Sequence, residues 1–591
     1  MPRTHAGSGA PLRRTGTECS IPSVRPPAAP HRIPARVIAS LFLALALTGT
    51  GGVPAPGRLP AIVFVSRQPV PGEPRAIPGL GPHTRAVVTG GRLLEREPDG
   101  RLRELLAPGA FVDVSDPSVS RDARRVAFAG VTPTDRAWRI WVLDLAGGGL
   151  APVTRAADPA RGRCDDLDPC WIGDSTLCFA STRDAWRAQY ADLPVTNLFV
   201  VTVPAAGSEA GEPRQITAER NGAEEPAMDW HRGRIVFSRW WFNAHRPANT
   251  ALGLAQDARE AIPADSVNLW QTMELTLSLG RERLAAGDLR TRRGEMGYQP
   301  AVLADGSIAA VYAANLGMSP EAGGTGIHLL PPRFGRATRL AGAIVAGRAG
   351  DVYGSAGGLA PPSACSPAAL PDGRVLFSYS PGARGDLGLF VMRRDGSGLT
   401  RVLDLPGTLE LDAAPVVRQP EPRPETMPRG DELEVPTPRS GRPTPATTPA
   451  APVTEAAREA RGTFRFHDLD VFADGPPGSP AHGAPPRTAG ARLRFFATLA
   501  RPASVTGDTA VLLREVPVGP AGEVNEGGLP AAAPLFEQLV DARGRVLMGA
   551  HGPAHVAGLN AGVAGLTTRC VGCHLGHSTL PVPETPRAGR P

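Results

Sequence analysis

The stretch DPSVSRDARRVAFAG, residues 116–130, sets an acid-proline pair before a polar turn and then an apolar run of strand-forming residues. The same order returns in DPCWIGDSTLCFAST from Asp168, EPAMDWHRGRIVFSR from Glu225, QPAVLADGSIAAVYA from Gln299 and SPAALPDGRVLFSYS from Ser366. In each copy the centre of the apolar run (Val126, Leu177, Ile235, Ile308, Val375) falls eight or nine residues after the proline. An offset held through five copies marks a repeated structural unit. The pairs Asp305-Gly306 and Asp372-Gly373 sit where a hairpin turns, and glycine accepts the positive φ of a tight two-residue loop.

Several copies run on into a second strand pair with a polar tip, as in residues 138–154, 196–217 and 387–403. Four short strands per unit is the plan of a propeller blade. IVFVSR (62–67) with RLLEREPDGRLRELL (92–106) supplies a first, degenerate blade, and LDAAPVV (411–417) a strand to close the ring, which makes six blades over residues 60–417. Loops on one face are long, above all 240–268. A composition of 69 glycines and 64 prolines in 591 residues fits turn-rich, mainly β structure and excludes a helical bundle.

These repeats resemble the TolB-type β-propeller, whose blades carry the same order of acid-proline, turn, apolar strand and a second strand ending in a glycine-rich tip. The resemblance implies a fold and leaves function open, because propellers host both enzymes and docking platforms.

Residues 418–461 hold many Pro, Thr and Arg and almost nothing that forms a core, and they read as a linker. Beyond it FRFHDLDVF (464–472), ARLRFFATL (491–499), TAVLLREVPV (509–518) and PLFEQLVDARGRVLM (534–548) alternate with the strand period, so 462–548 reads as a small β-sandwich-like domain. Residues 549–591 are left as a C-terminal segment and tail. At the other end VIASLFLALAL (37–47) follows Arg32 and Arg36 and precedes a small-residue run, the anatomy of a signal peptide too short to span a bilayer. Residues 1–55 are therefore expected to be leader and signal, with export to the periplasm or beyond and no membrane span after cleavage. All 63 basic residues are arginine, scattered among 57 acids with no basic run interleaved with aromatics, which argues against nucleic-acid binding.

Of the seven cysteines, Cys19 precedes the signal and Cys570 and Cys573 form a close pair. Export would permit disulfides among Cys164, Cys170, Cys178 and Cys365, with Cys164 to Cys170 the easiest to close, while buried free thiols in strands are the other reading for Cys178 and Cys365. Arg569-Cys570-Val571-Gly572-Cys573-His574 is C-x-x-C-H, the attachment sequence of a c-type haem. Two thiols at this spacing reach the two vinyl groups of one porphyrin, and the adjacent histidine is carried beneath the ring as proximal iron ligand. A thioredoxin-like pair would want a βαβ context that this Gly-, Ala- and Thr-rich stretch lacks. A zinc site would need adjacent Cys573 and His574, or His577, on one tetrahedral ion.

The order of propeller, proline-rich linker, small β domain and RCVGCH resembles the hydrazine synthase alpha subunit and the bacterial proteins related to it, with residues 509–574 the most specific part. The resemblance implies the architecture and one covalent haem c at Cys570, Cys573 and His574. It does not extend to hydrazine formation, since that subunit uses more than one haem site and partner subunits. All five tyrosines lie at or before Tyr379, so the local sequence offers no tyrosinate ligand.

His551 and His555, and less readily His577, lie close enough in sequence to reach the distal face, although a surface position is the default for each; Met548 is a rival whose default is the core. Trp230, Trp240 and Trp241 with His231 and His245 read as blade packing and loop. Asp165, Asp166 and Asp168 suit either calcium or turns and blade edges. Two functions follow: an exported c-type cytochrome that passes electrons to a redox partner or transforms a small molecule, or a non-catalytic TolB-like binding scaffold whose haem is structural.

Overall fold

The computed structural model describes most of residues 58–422 and 462–572; the longer stretches outside it are 1–57, 244–266, 286–296, 314–324, 331–362, 423–461, 475–483, 500–508, 554–561 and 573–591. The signal reading, and the linker reading apart from 418–422, therefore lie outside the described residues, as do His245, His551, His555, Cys573, His574 and His577; Gln419 N–H donates to Arg121 of blade two. Among the described residues every regular element is a strand, and no helix is long and apolar enough to cross a membrane.

Six antiparallel sheets follow one another from Ile62 to Pro415, one per repeat. Blade one is closed by the last of these strands: Leu409–Pro415 pairs with Ile62–Arg67, which leads out through Arg92–Arg96 to Leu102–Glu104. Blades two, three, four and six each run outward through four consecutive strands, and three strands of blade five are described. The innermost strands touch in a closed cycle: Leu409–Pro415, Asp113–Val119, Asp166–Trp171, Ala223–Asp229, Tyr298–Val302, Ser363–Ala369 and back to the first. The fold is a six-bladed β-propeller, as the repeats require.

The acid-proline pair has a structural cause. Asp116, Asp168, Glu225, Gln299, Ser366 and Asp412 occupy the same place on the six innermost strands, each with φ between 47 and 56°. At each the pairing with the next strand slips by a bulge. A left-handed backbone costs a residue with a Cβ about 1–3 kcal/mol, and proline, which gives the ladder no N–H, suits the position that follows. In blade one Ala413 stands where the other five have proline, which is why the sequence repeat counts to five and the structure to six. The Asp-Gly hairpins differ from expectation: Gly306 and Gly373 donate to Leu303 and Leu370, and only the glycine, at φ 83°, is left-handed. Each is a turn one residue longer, closed by a glycine bulge.

Residues 462–572 form two three-stranded sheets. One orders Val524–Pro530, Thr463–Asp468 and Thr567–Cys570; the other orders Thr509–Pro517, Arg492–Leu499 and Leu535–Val540. They share one core in which Phe466 meets Phe495 edge to face at 5.1 Å, with Leu493, Leu535 and Leu539 around them. Thr567–Cys570 comes from the stretch assigned by sequence to a separate tail, yet it pairs in parallel with Thr463–Asp468. Just before it Val563, buried, joins the apolar cluster of blades three and four that includes Cys170, Ile172 and Met228, with Leu566 and Trp230 packed against the same cluster. The segment that leads into the cysteine motif is thereby pinned between the small sheets and the propeller.

Two sequence expectations give way here. Cys164, Cys170, Cys178 and Cys365 are all buried free thiols. Cys170 and Cys178 face each other across paired strands in an apolar cluster, and burial pushes the Cys170 thiol up to about 12. Met548 is no core residue: it is 44% exposed on a two-residue strand paired with Gly552–Pro553, because the alternation that places Leu539 inside ends at the turn after Val540.

Candidate functional site

The first candidate site lies on the propeller axis. A cavity of about 250 Å³ is lined by the bulge residues of all six blades, with Trp171, Met228 and Trp230 on its wall. The bulge residues are linked around the axis. Glu225 N–H donates to Asp168 Oδ2 (3.0 Å), Gln299 Nε2 to Glu225 Oε1 (3.0 Å), Ser366 N–H to Gln299 Oε1 (2.9 Å) and Ser366 Oγ to Asp412 Oδ1 (2.6 Å). Asp116, held by Ser115 Oγ at 3.0 Å, takes the remaining place. Left-handed bulges aim these side chains inward, so the repeat seen in sequence becomes a polar collar.

Four carboxylates in one collar oppose one another's ionisation. Burial pushes Asp168 up to about 7, with repulsion from Glu224 adding to it. Asp116 and Glu225 are raised well above the carboxylate range by burial and by Asp168. From blade one, residues 77–81 and 85–88 reach across the axis. Gly81 N–H donates to Tyr298 Oη, and Arg85 pairs with Glu224 at 2.6 Å. Arg85 thereby neutralises Glu224 and leaves the neighbouring Glu225 to the collar.

The calcium reading of Asp165, Asp166 and Asp168 fails on geometry. Asp166 is buried against Arg183 at 2.7 Å, Asp165 accepts Trp138 N–H, and Asp168 joins the collar. Asp168 carries the left-handed bulge and lines the axial cavity, whereas Asp166 faces Arg183 and Ser181. Among the described residues no three His, Cys, Asp or Glu side chains are placed to hold a metal ion. Trp240 lies against Trp270, its cross-strand neighbour in blade four, and Trp270 meets Tyr298 of blade five at 4.8 Å, so Trp240 is packing as expected, while Trp230 borders the cavity.

A pH dependence follows from the collar. A carboxyl at about 7 in the folded chain and near 3.8 when unfolded binds a proton in the fold over the interval between them, so its contribution to stability falls as pH rises through that interval and is level above it. Asp168→Asn keeps an oxygen for Glu225 N–H without the charge. Because Asp168 is partly open to the channel, the variant is expected to gain on the order of 1–2 kcal/mol at pH 8 and nothing at pH 4. Urea unfolding at the two pH values measures it, and an equal effect at both would exclude the titration.

The second candidate site is the cysteine motif. Cys570 ends the strand Thr567–Cys570, in register with Asp468 on the parallel neighbour. Gly572, between the two cysteines, is buried and takes φ 83°, a turn open to glycine at no cost. Its N–H donates to Asp468 Oδ1 at 3.3 Å, and the same oxygen accepts Asp470 N–H at 2.9 Å. Asp468 is 2% exposed, and burial pushes its carboxyl up to about 7. The chain thus leaves an ordered strand and turns at a glycine tied to the sheet, and the sequence sets a cysteine two residues before that glycine and another directly after it, with a histidine next. That donor set suits a porphyrin bound by two thioethers with an axial histidine. Asp468 was missed by sequence reasoning, since it lies 104 positions from Gly572 and only the fold joins them.

Against known proteins, no family model matches the chain and no curated protein matches it. Among solved structures it is similar to Kuenenia stuttgartiensis hydrazine synthase, with a TM-score of 0.56 and 16% identity over 88% of this chain and 69% of that one. Acinetobacter baumannii TolB gives 0.34 and 12%, over 61% of this chain and 67% of that one. At such identities the likeness is one of fold. The share matched by hydrazine synthase exceeds what residues 62–415 alone make up, so it takes in more than the propeller.

Proposed function

We propose that this chain is an exported c-type haem protein with one haem attached through Cys570 and Cys573, its iron held by His574, and the propeller serving as the platform on which a redox partner or small substrate docks. The observation that carries the reading is the Gly572 turn. A C-x-x-C-H sequence emerges from an ordered strand and is fastened at its centre to a buried carboxylate. Bound there, a haem would supply one-electron chemistry and an iron site for small ligands. The chain's own part is to end a sheet-edge strand at Cys570, to tie down Gly572 between the two cysteines, and to pin the lead-in segment through Val563 and Leu566.

The sixth iron position decides between electron carrier and catalyst. Met548 is exposed on a hairpin beside the His551 segment, and no described contact holds it in the core. We read the distal position as open, with His551 and His555 as the alternatives. Ferric protein is then expected to be high-spin and, once reduced, to shift its spectrum with carbon monoxide. A low-spin spectrum indifferent to carbon monoxide, and lost in His551→Ala or His555→Ala, would instead assign a histidine and electron transfer. A haem that no reductant reaches would favour the scaffold reading.

A further inference from the structure

The carboxylate of Asp468 is spent on two backbone groups. It sits at the end of Thr463–Asp468, 2% exposed, and its contacts are Asp470 N–H and Gly572 N–H on one oxygen. Nearby Arg487 is engaged by Asp470 at 2.6 Å. A buried carboxyl costs several kcal/mol unless hydrogen bonds offset it, and here one bond is local, from Asp470 N–H, while the other crosses to the turn of the cysteine motif. The parallel register, with Arg465 beside Thr567 and Asp468 beside Cys570, brings this side chain to the point where the turn begins. The turn itself has the left-handed glycine that lets its N–H point back toward the sheet.

We propose that Asp468 is the positioning residue of the haem turn: by holding Gly572 N–H it fixes the peptide between Cys570 and Cys573, and so sets how His574 meets the iron. This role rests on the haem reading of the motif. It is a hydrogen-bond role, so the acceptor oxygen carries it and the charge does not. Asp468→Asn keeps that oxygen and Asp468→Ala removes it.

The test uses the full chain made in a host that attaches haem, with intact mass, ferric electron paramagnetic resonance and amide exchange as readouts. In the wild type the Gly572 amide is expected to exchange roughly a hundredfold or more slowly than an open amide. Asp468→Asn is expected to keep one ferric species and the wild-type haem content. Asp468→Ala is expected to give a broadened or divided ferric signal at equal haem content, because the histidine is no longer held in one orientation. A haem-bearing wild type with a Gly572 amide as fast as an open one overturns the proposal, even where the alanine variant fails to fold. So does Asp468→Ala with the wild-type signal, or Asp468→Asn as disordered as alanine. A wild type without haem but with a slow Gly572 amide overturns the haem reading instead, leaving the hydrogen bond as observed.

Discussion

Replacing Cys570 and Cys573 together by serine is expected to yield colourless protein from a host in which the wild type is coloured. The chain has one C-x-x-C-H, so no second motif can hold the group. Each cysteine accounts for one of two thioethers, and the single variants are expected to differ from the double. Either single variant retains haem through the remaining bond, with the altered spectrum of a half-attached vinyl porphyrin. The sheets should survive, because Cys570 ends an edge strand and the core of Phe464, Phe466 and Phe495 lies on the other strands. Colour that survives denaturation of the double variant would remove the assignment.

Arg67→Met is expected to be among the most destabilising single changes in the propeller, by about 3–5 kcal/mol. The guanidinium, 1% exposed, gives Nε and one terminal nitrogen to Asp113, at 3.1 and 2.6 Å, and donates to the carbonyls of Pro78 and Ala86. It thereby joins blade one, blade two and the segment that crosses the axis. Asp113 also accepts Val88 N–H and Val114 N–H, yet burial still raises its carboxyl despite Arg67. Removing the cation leaves a buried carboxylate without its charged partner, and that uncompensated charge supplies most of the cost. The double variant Arg67→Met, Asp113→Leu should therefore recover a large part of the loss. Chemical denaturation of wild type, single and double variants decides it; a double variant no better than the single would refute the charge argument.

The blade plan was legible because one local requirement recurs. A bulge on each innermost strand wants a residue that tolerates left-handed backbone and a proline after it, and five blades write this in sequence. Blade one lacks the proline, and there the closing strand had to be found from its apolar pattern alone. Less legible was everything that joins distant segments. Arg85 reaches Glu224 across 139 positions, and the collar bonds link successive blades, so neither leaves a spacing to read. Val524–Pro530 was missed because Glu526-Gly527-Gly528 looks like a turn, although it pairs with Thr463–Asp468 around a bulge. Thr567–Cys570 is short and polar and is held by a parallel partner about a hundred residues earlier. The cysteine spacing named the chemistry, whereas Asp468, which ties the turn down, is visible only once the sheet is built. Export suggested disulfides, but all four cysteines are buried free thiols, three of them on strands.

One covalent haem on the folded chain is tested by the intact mass of wild-type protein made with haem-attachment machinery, read beside its visible spectrum after denaturation and reduction. The expected result is the mass of the processed chain plus a single haem, with a haem spectrum that stays with the polypeptide when the fold is lost. The mass of the bare chain, with no colour retained through denaturation, would contradict it.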